Sequence, residues 1–572
     1  MLNEFFILVF YYFLILISIF GFGLLSLNFI SLKNRDINLG YAGLSGLFFI
    51  LIYSYISNIF YPHNILHNSI FLVCGLFFFL YFFRKKIFQL KNQIYLSIVV
   101  FLILLISLFI FKNHDDFAYY HFPYTYYLTQ DSLHLGVGQF NHGFRTPSSI
   151  FYINSLFYLP FGDYYLFNFT SIYFLGFANL FLLQKIYNFD FTGKTNIQIK
   201  KINFINYLSL LSLIFINIFF YRISEHGTDR SAQILILLFV IVILENLNLK
   251  KNNRIDFQFI YILMGLIISL KSFYILYTIF LIPILYFMYE KNSKFLSNLQ
   301  YLIFNKYFIY LFIVIFFTIF TYLINTGCLI YPISFSCFDN LSWSIMKSDV
   351  KLMNNWYELW SKAGATPNYR VENPDVYIQY FNWVQNWINN YFFNKFSDFF
   401  FGIIFLSLVF VAVFFNKNKK KKKIILNKYT LIIYIILFIL SLEWFYNHPA
   451  LRYGGYSLFA LLIFIPLSIY VESFRVSEKK FKLSCVILIL ITLSIFLGRN
   501  INRIIYEVNK YDYKPFSESF YKVDETHFRI QIQIDNKINN FQECELNEKE
   551  CKNYKKIIDK KYGKIIFLRK ND

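Results

Sequence analysis

The sequence predicts an all-α polytopic membrane protein with about 14 transmembrane helices, interface helices on the outer face and a small C-terminal α/β appendage. Of the 572 residues, 57% are apolar, 23% are aromatic and only 15% are charged. Globular proteins carry roughly 25% charged residues, so this chain lacks the charge to cover a water-facing surface. The long apolar stretches must meet lipid instead. The same composition excludes intrinsic disorder and a disulfide scaffold.

Apolar runs mark the spans, since a bilayer core about 30 Å thick takes about 20 residues per helix. Lys271 and Ser272 alone separate the eighth run from the ninth, which predicts a helical hairpin with its tip at one membrane face. The fourteen predicted spans lie near residues 5–30, 38–60, 69–83, 94–111, 165–184, 203–222, 231–248, 257–270, 273–289, 307–325, 399–415, 428–446, 453–472 and 483–497.

The distribution of Lys and Arg predicts the orientation. Alternate connections hold 27 of the 54 basic residues, including the run Lys419 to Lys423. Positively charged loops remain on the cytoplasmic side. We therefore predict that both termini lie outside, which for a bacterial inner membrane is the periplasmic side. The formal net charge of +21 is then a topology signal, and we expect no nucleic-acid partner.

Five regions follow from this topology. They are three N-terminal transmembrane helices (1–93), a core (94–325) with an acid-bearing outer loop (112–164), a large outer loop (326–398), four C-terminal transmembrane helices (399–497) and an outer soluble tail (498–572). In the tail, the segments FRIQIQI (528–534) and KIIFL (564–568) are predicted strands, and no chemistry is assigned to them.

Two close cysteine pairs lie in predicted outer segments. Cys328 and Cys337 share the large loop, and Cys544 and Cys551 share the tail. Such pairs in an oxidising compartment indicate disulfides, with free thiols as the alternative.

The adjacent carboxylates Asp115 and Asp116 are the most informative feature of the first outer loop. Two carboxylates at a membrane surface suggest either a general base or, together with His121, a divalent-metal site. The alternative is a solvated helix N-terminus, where acidic residues favour the helix dipole. No cofactor is required by the sequence, and a divalent metal is the one candidate.

Two helices are predicted in the same loop. The first covers Asp116–Gln130 and lies in the membrane interface with an aromatic face. The second has Thr146 as its N-cap and Pro147 at its first helical position, and runs to about Leu159. Between them, a glycine-bearing loop with Asn141 and Arg145 offers backbone N–H groups and a guanidinium to an anionic ligand.

Further ionisable residues lie in the other outer connections. Short outer loops normally contain few basic residues, so their arginines favour an anionic ligand, with helix-terminal salt bridges as the alternative. The candidate substrate-binding residues there are Arg222, Glu225, His226, Asp229, Arg230, Lys271, Arg452 and Tyr453.

The large outer loop contains two tryptophan pairs at i,i+4 spacing, Trp356 with Trp360 and Trp383 with Trp387. This spacing predicts two short amphipathic helices. The rings suit either the aromatic belt of the membrane interface or stacking on sugars.

The order of these segments resembles the GT-C superfamily of integral-membrane glycosyltransferases. In that superfamily an early outer acid, two interface helices, further spans and a large outer loop follow one another, as residues 94–400 do here. Lys271 at a hairpin tip resembles the lysine hairpin of polyprenyl-phosphate-sugar enzymes. DDFAYYH followed by GFRTPSS is similar to a group of bacterial envelope membrane proteins.

The resemblance implies transfer of a sugar from a polyprenyl-phosphate donor to a glycan, lipid or protein acceptor, with Asp115 or Asp116 as base. The expected partners are the lipid-linked sugar, its acceptor and membrane lipid. A polysaccharide polymerase or ligase of O-antigen type is the first alternative. A transporter or flippase is the second, although such proteins place charged residues at mid-membrane depth.

Overall fold

The structure is a computed structural model that describes residues 3–29, 38–187, 202–225, 227–248, 255–365, 371–415, 427–546, 557–561 and 563–569. The predicted cytoplasmic run Lys419 to Lys423 and the candidate His226 lie outside these described residues.

The described chain is helical apart from its loops and one small hairpin. The helices are α1 Glu4–Phe29, α2 Leu39–Phe60, α3 Ile65–Leu104, α4 Phe122–Gln130, α5 Ser149–Ser155, α6 Phe169–Tyr187, α7 Phe204–Phe219, α8 Gly227–Leu247, α9 Phe257–Leu270, α10 Leu281–Lys291, α11 Phe295–Phe304, α12 Phe308–Thr326, α13 Lys347–Lys362, α14 Pro374–Tyr377, α15 Val384–Trp387, α16 Ser397–Phe414, α17 Lys428–Asn447, α18 Gly455–Glu472, α19 Glu478–Tyr511 and α20 Glu525–Leu546. The strands are β1 Ile558–Lys561 and β2 Lys564–Phe567.

The predicted membrane fold is confirmed. Within the described residues, twelve helical segments are long and apolar enough to cross a bilayer. The two remaining predicted spans, 203–222 and 257–270, correspond to the shorter apolar helices α7 and α9. The chain is therefore a multi-pass helical membrane protein.

Contacts at the two ends of the bundle agree with the predicted alternation of connections. At one end, Lys185 in the last turn of α6 pairs with Glu245 of α8 at 2.6 Å, and Asn427 before α17 donates to Asn248 at 2.9 Å. At the other end, residues from the predicted outer loops meet, among them Asp229 and Arg452. Loops that the sequence assigns to the same face therefore lie together.

Helix α3 replaces the predicted loop at 84–93. The Tyr12 hydroxyl of α1 donates to the Phe101 carbonyl at 3.0 Å, and Ser18 Oγ donates to the Leu72 carbonyl at 3.2 Å. In a straight helix, Leu72 and Phe101 would lie about 44 Å apart, whereas their partners on α1 are about 9 Å apart. Helix α3 must therefore bend back between them, so two predicted spans form one bent helix.

The first outer loop is helical where expected but is buried in protein. A π-helical turn, Phe117–His121, leads into α4, and the rings of Tyr124 and Tyr127 are fully enclosed. The predicted start of the next helix at Thr146 is wrong. Helix α5 is capped by the extended residue Ser148, whose hydroxyl donates to the Leu270 carbonyl at 2.8 Å.

The predicted strand at 528–534 is also wrong, because these residues lie within α20. Ile530, Ile534 and Phe541 are buried at helical spacing. The helical spacing of apolar residues over the whole of α20 therefore outweighs the alternation of apolar and polar residues within FRIQIQI, which had predicted a strand. The second predicted strand is confirmed as β2, which pairs antiparallel with β1 and also contacts Leu135 of the first outer loop. The tail thus packs onto that loop.

The large outer loop is held by a disulfide between Cys328 and Cys337, as predicted. Cys544 is also disulfide-bonded, and its predicted partner Cys551 lies outside the described residues. The first tryptophan pair lies in α13, as expected. The second pair is buried: Trp387 Nε1 donates to the Pro449 carbonyl at 2.7 Å, so this side chain supports a neighbouring loop.

Candidate functional site

Four charged side chains from four separate connections form what we name the central cluster: Asp116, Asp229, Lys271 and Arg452. Asp229 lies at its centre in the first turn of α8, where a carboxylate favours the helix dipole. Its Oδ1 lies 2.8 Å from Lys271 Nζ, and its Oδ2 lies 3.0 Å from Arg452 Nε. Its side chain is 12% exposed, so the two cations compensate a nearly buried carboxylate.

Arg452 is presented by a tightly held loop between α17 and α18. The chain forms a 3-10 turn over Leu451–Tyr453 and leaves it at Gly454, whose φ of 101° favours glycine. Gln233 Nε2 donates to the Arg452 carbonyl at 3.1 Å, and the Leu451 N–H donates to the Tyr391 hydroxyl at 2.7 Å. The backbone at Arg452 is therefore fixed from two sides.

The structure separates the two adjacent acids of the first outer loop. Asp116 Oδ2 lies 3.4 Å from Nη2 of Arg452 and 3.7 Å from Nδ1 of His114. Asp115 points away, is 90% exposed and lies 3.6 Å from Lys112. Asp116 is 30% exposed, so it is both part of the central cluster and accessible to a ligand.

Burial and the charges of the central cluster together set the protonation of the neighbouring side chains. Burial disfavours the Arg452 charge, but the adjacent Asp229 raises the pKa of Arg452 well above its ordinary value. Burial lowers the pKa of His121 to about 3, although Asp116 opposes this shift. Burial, followed by the Asp116 charge, raises the pKa of Tyr120 well above its ordinary value. His121 and Tyr120 are therefore neutral near pH 7, while Arg452 is charged.

Aromatic rings of two outer loops form a wall beside Arg452. Its guanidinium lies 5.3 Å from the Trp360 ring centre and 5.8 Å from that of Tyr453, within the range of cation–π attraction. Trp360 and Tyr453 also meet edge to face at 6.1 Å. Trp360 is thus a side chain of the large loop that reaches the central cluster.

Arg145 lies next to this wall rather than in the central cluster. Its Nη1 donates to the Tyr331 hydroxyl at 2.9 Å and its Nε donates to the Gly138 carbonyl at 3.2 Å. Tyr357 lies within electrostatic reach of both Arg145 and Tyr453. Arg145 thus adds a positive charge at the edge of the site.

A second set of charges surrounds a cavity of about 520 Å³, which we name the side cavity. Arg222 Nε donates to Glu225 Oε1 at 2.9 Å, and Glu225 is buried. From α19, Arg503 Nη1 lies 3.9 Å from Glu225 and 3.5 Å from Glu507. Arg222 and Glu225, predicted from their outer loop, therefore belong to this cavity and not to the central cluster.

Two further candidate residues have other surroundings. Arg230 Nη1 lies 3.5 Å from the Arg222 carbonyl, and its guanidinium lies 5.9 Å from the centre of the Phe220 ring. Asn141 caps a short 3-10 turn, accepting from the Gly143 N–H at 2.7 Å and donating to the Tyr119 carbonyl at 3.1 Å. Asn141 thus shapes the loop backbone.

The described residues contain no group of three or more His, Cys, Asp and Glu side chains that could hold a metal ion. The His121 imidazole packs against the Tyr120 and Phe151 rings, and its buried Nε2 has no hydrogen-bond partner among the described residues.

Comparison with known proteins places the chain in a family. The profile described as "Domain of unknown function (DUF8201)" matches residues 5–459. The chain belongs to this family. Searches of the curated proteins and of the solved structures found no match. The DUF8201 match includes all four residues of the central cluster and ends before α19 and α20.

Sequence reasoning missed the α19 side of the site. Residues beyond 498 were assigned to a soluble tail, yet α19 continues to Tyr511 and brings Arg503 and Glu507 to the side cavity. Their i,i+4 spacing directly after an apolar run was the available signal. Tyr120 and Tyr357 were missed because their proximity to the central cluster depends on contacts between distant loops.

Proposed function

We propose that this chain is a membrane glycosyltransferase that transfers a sugar from a polyprenyl-phosphate donor to a glycan, lipid or protein acceptor. The reaction takes place at the outer face of the cytoplasmic membrane, with both termini on the periplasmic side. The observation that carries the proposal is the convergence of Asp116 with Lys271 and Arg452 around Asp229.

Asp116 is the general base in this proposal. It accepts the proton of the acceptor hydroxyl as that oxygen attacks the anomeric carbon from the side opposite the leaving group. The bond between the anomeric carbon and the phosphate oxygen breaks, and polyprenyl phosphate leaves with the bonding electrons. Phosphate leaves without prior protonation, so one carboxylate is sufficient and the configuration is inverted.

Lys271 and Arg452 stabilise the phosphate charge that develops during transfer, and Arg145 adds a third cation at the edge of the site. Asp229 is a positioning residue, since it contacts both cations. The Lys271 ammonium and the Arg452 guanidinium remain partly exposed, so a phosphate can still reach them. The Trp360 and Tyr453 rings offer apolar faces for the donor sugar.

The test is a transfer assay with the purified full-length chain in liposomes. A panel of polyprenyl-phosphate monosaccharides, labelled in the sugar, is supplied with an envelope extract as acceptor. Release of polyprenyl phosphate and movement of label are measured. Asp116→Asn is expected to lower the rate about 100-fold or more. Asp339→Asn is the matched control because its side chain is exposed and lies outside both the central cluster and the side cavity.

Wild-type rates in both variants would overturn the role of Asp116. No transfer from any monosaccharide donor would overturn the proposed function. Turnover of polyprenyl-diphosphate-linked glycans alone would instead indicate a polysaccharide polymerase or ligase.

A further inference from the structure

The side cavity carries more positive than negative charge. Its volume of about 520 Å³ is within the range of about 300–1,000 Å³ found for ligand pockets. Four Lys and Arg side chains and three carboxylates line it, so the formal charge of the described wall is +1 with His114 neutral. The basic residues are Lys112, Arg222, Arg499 and Arg503, and the acids are Asp115, Glu225 and Glu507. This balance favours an anionic ligand.

Two of the three carboxylates are buried beneath their partners. The side chains of Glu225 and Glu507 are only 3% and 6% exposed. Glu225 accepts from Arg222 Nε at 2.9 Å, and Glu507 accepts from the Phe111 N–H at 2.9 Å. The Arg222 side chain, in contrast, is 43% exposed. The buried acids therefore hold the arginines in place, and a ligand meets mainly cations.

Arg499 is the cation best placed to bind an anion. It is exposed, and it is the basic side chain of the wall without a carboxylate partner among the described residues. Its Nη1 donates to the Ile218 carbonyl at 2.8 Å, and its guanidinium lies 3.9 Å from the Tyr221 ring centre. These two contacts orient a guanidinium that has five N–H donors in all, and such a group matches the geometry of a phosphate.

The cavity lies at the depth of lipid headgroups. Helix α19 is continuous from Glu478 to Tyr511, and the sequence has no charged residue between Lys482 and Arg499. Along the helix axis, Lys482 is about 26 Å from Arg499 and about 32 Å from Arg503. The hydrocarbon core of a bilayer is about 30 Å thick. With Lys482 at one membrane boundary, Arg499 and Arg503 therefore lie at the other.

An exposed apolar stripe of α19 leads from the hydrocarbon core to the cavity. Ile491, Ile495, Gly498 and Asn502 follow one another at spacings of three or four residues, so they share one face of the helix. Ile491 and Ile495 are exposed, and a Cβ added to Gly498 would meet no atom within 4 Å. Asn502 lines the cavity. The stripe thus has open space directly below the polar wall.

We propose that the side cavity binds the phosphate group of a membrane lipid. The phosphate contacts Arg499, and a hydrocarbon chain lies over Gly498 and along Ile495 and Ile491. A phosphodiester carries one negative charge, which matches the formal charge of the wall. The site goes beyond the proposed transfer reaction and does not depend on it, since that reaction uses the central cluster. The lipid-facing part of the site lies beyond residue 459, where the family match ends.

The test is photo-cross-linking of the full-length protein in liposomes that contain equal amounts of phosphatidylglycerol and phosphatidylcholine. Ile495→p-benzoylphenylalanine places the cross-linker on the stripe, and mass spectrometry identifies the labelled lipid. We expect about fivefold more phosphatidylglycerol than phosphatidylcholine, because choline cancels the phosphate charge. Ile70→p-benzoylphenylalanine, at an exposed position of α3, is the control position and should show no preference.

Three substitutions separate the parts of the site. Arg499→Gln should reduce the preference at position 495 to the value at position 70, since the charged contact is lost. Lys514→Gln removes an exposed positive charge outside the cavity and is the matched control. Asp115→Asn removes a negative charge from the wall and should increase the preference about twofold. A neutral ligand would not respond to these charges in opposite directions.

The third substitution, Gly498→Leu, distinguishes a lipid from a free phosphate ion. Leucine favours the helix more than glycine does, so folding is retained, but its side chain fills the space below the cavity. We expect it to remove the preference, whereas inorganic phosphate, compared with chloride at the same ionic strength, should not. Displacement by inorganic phosphate would show a site for the free ion and overturn the lipid assignment. Equal labelling of both lipids in the wild type, or an unchanged preference in Arg499→Gln, would overturn the site itself.

Discussion

Asp116 Oδ2 lies 3.4 Å from Nη2 of Arg452, although the two residues are 336 positions apart in the chain. The Nε of the same guanidinium lies 3.0 Å from Oδ2 of Asp229. One planar group thus joins the acid of the first outer loop to the acid at the start of α8. This bridge, together with the Lys271–Asp229 pair, makes the central cluster a single unit.

Arg452→Lys should disable the central cluster although the charge is kept. A lysine ammonium is a point charge and cannot contact both carboxylates in the fixed geometry of a guanidinium. We expect the transfer rate to fall about 100-fold, with little change in melting temperature. Arg475→Lys, an exposed arginine after the other end of α18, is the control. An Arg452→Lys variant with the wild-type rate would show that the two contacts are not needed together.

Asp229→Asn should destabilise the protein, because Lys271 and Arg452 would lose the carboxylate between them. We expect the free energy of unfolding to fall by about 1–3 kcal/mol, since both cations are partly exposed and screened. Adding Lys271→Met should recover part of the loss by removing one uncompensated charge. Melting temperatures in detergent measure both effects. If the double variant were less stable than Asp229→Asn, charge imbalance would not be the cause.

Stability should depend on pH through His121. Burial lowers its folded pKa to about 3, whereas an unfolded histidine has a pKa of about 6.5. Between these values the unfolded state binds the proton and the folded state does not, so stability falls as the pH decreases from about 6.5. The melting temperature should therefore drop more between pH 7.5 and 5 in the wild type than in His121→Gln. Parallel curves of melting temperature against pH for the wild type and His121→Gln would show that folded His121 binds the proton as readily as unfolded histidine does. That result would contradict the lowered pKa.

The helix at 525–546 can be distinguished from the strand that the sequence suggested. In a strand, Ile530 and Ile532 would face the same side, whereas in α20 Ile530 is 4% exposed and Ile532 is 51% exposed. Ile530→Ser should lower the free energy of unfolding by about 2–3 kcal/mol. Ile532→Ser should leave it nearly unchanged. Similar losses in both variants, by thermal melting, would contradict the helix.

The membrane-spanning segments were predictable, because each is a long, continuous apolar run and burial in lipid depends on local composition. Runs of about 20 apolar residues predict the twelve long apolar segments. The Lys and Arg counts predict which connections lie on the same side of the membrane. The bend in α3 and the helix at 528–534 were not predictable in this way. In both places a short local pattern competes with contacts to other helices, and those contacts decide the conformation.

For the candidate site, the residue types and the loops that carry them can be read from the sequence. It identified Asp115, Asp116, Lys271, Asp229 and Arg452 as charges that a membrane protein does not place at random. The tertiary structure alone distinguished the exposed Asp115 from Asp116, assigned Arg222 and Glu225 to the side cavity, and supplied Arg503 and Glu507 from α19. The physical reason is that charge pairing acts over a few ångströms between segments hundreds of residues apart, and no local sequence pattern encodes that distance.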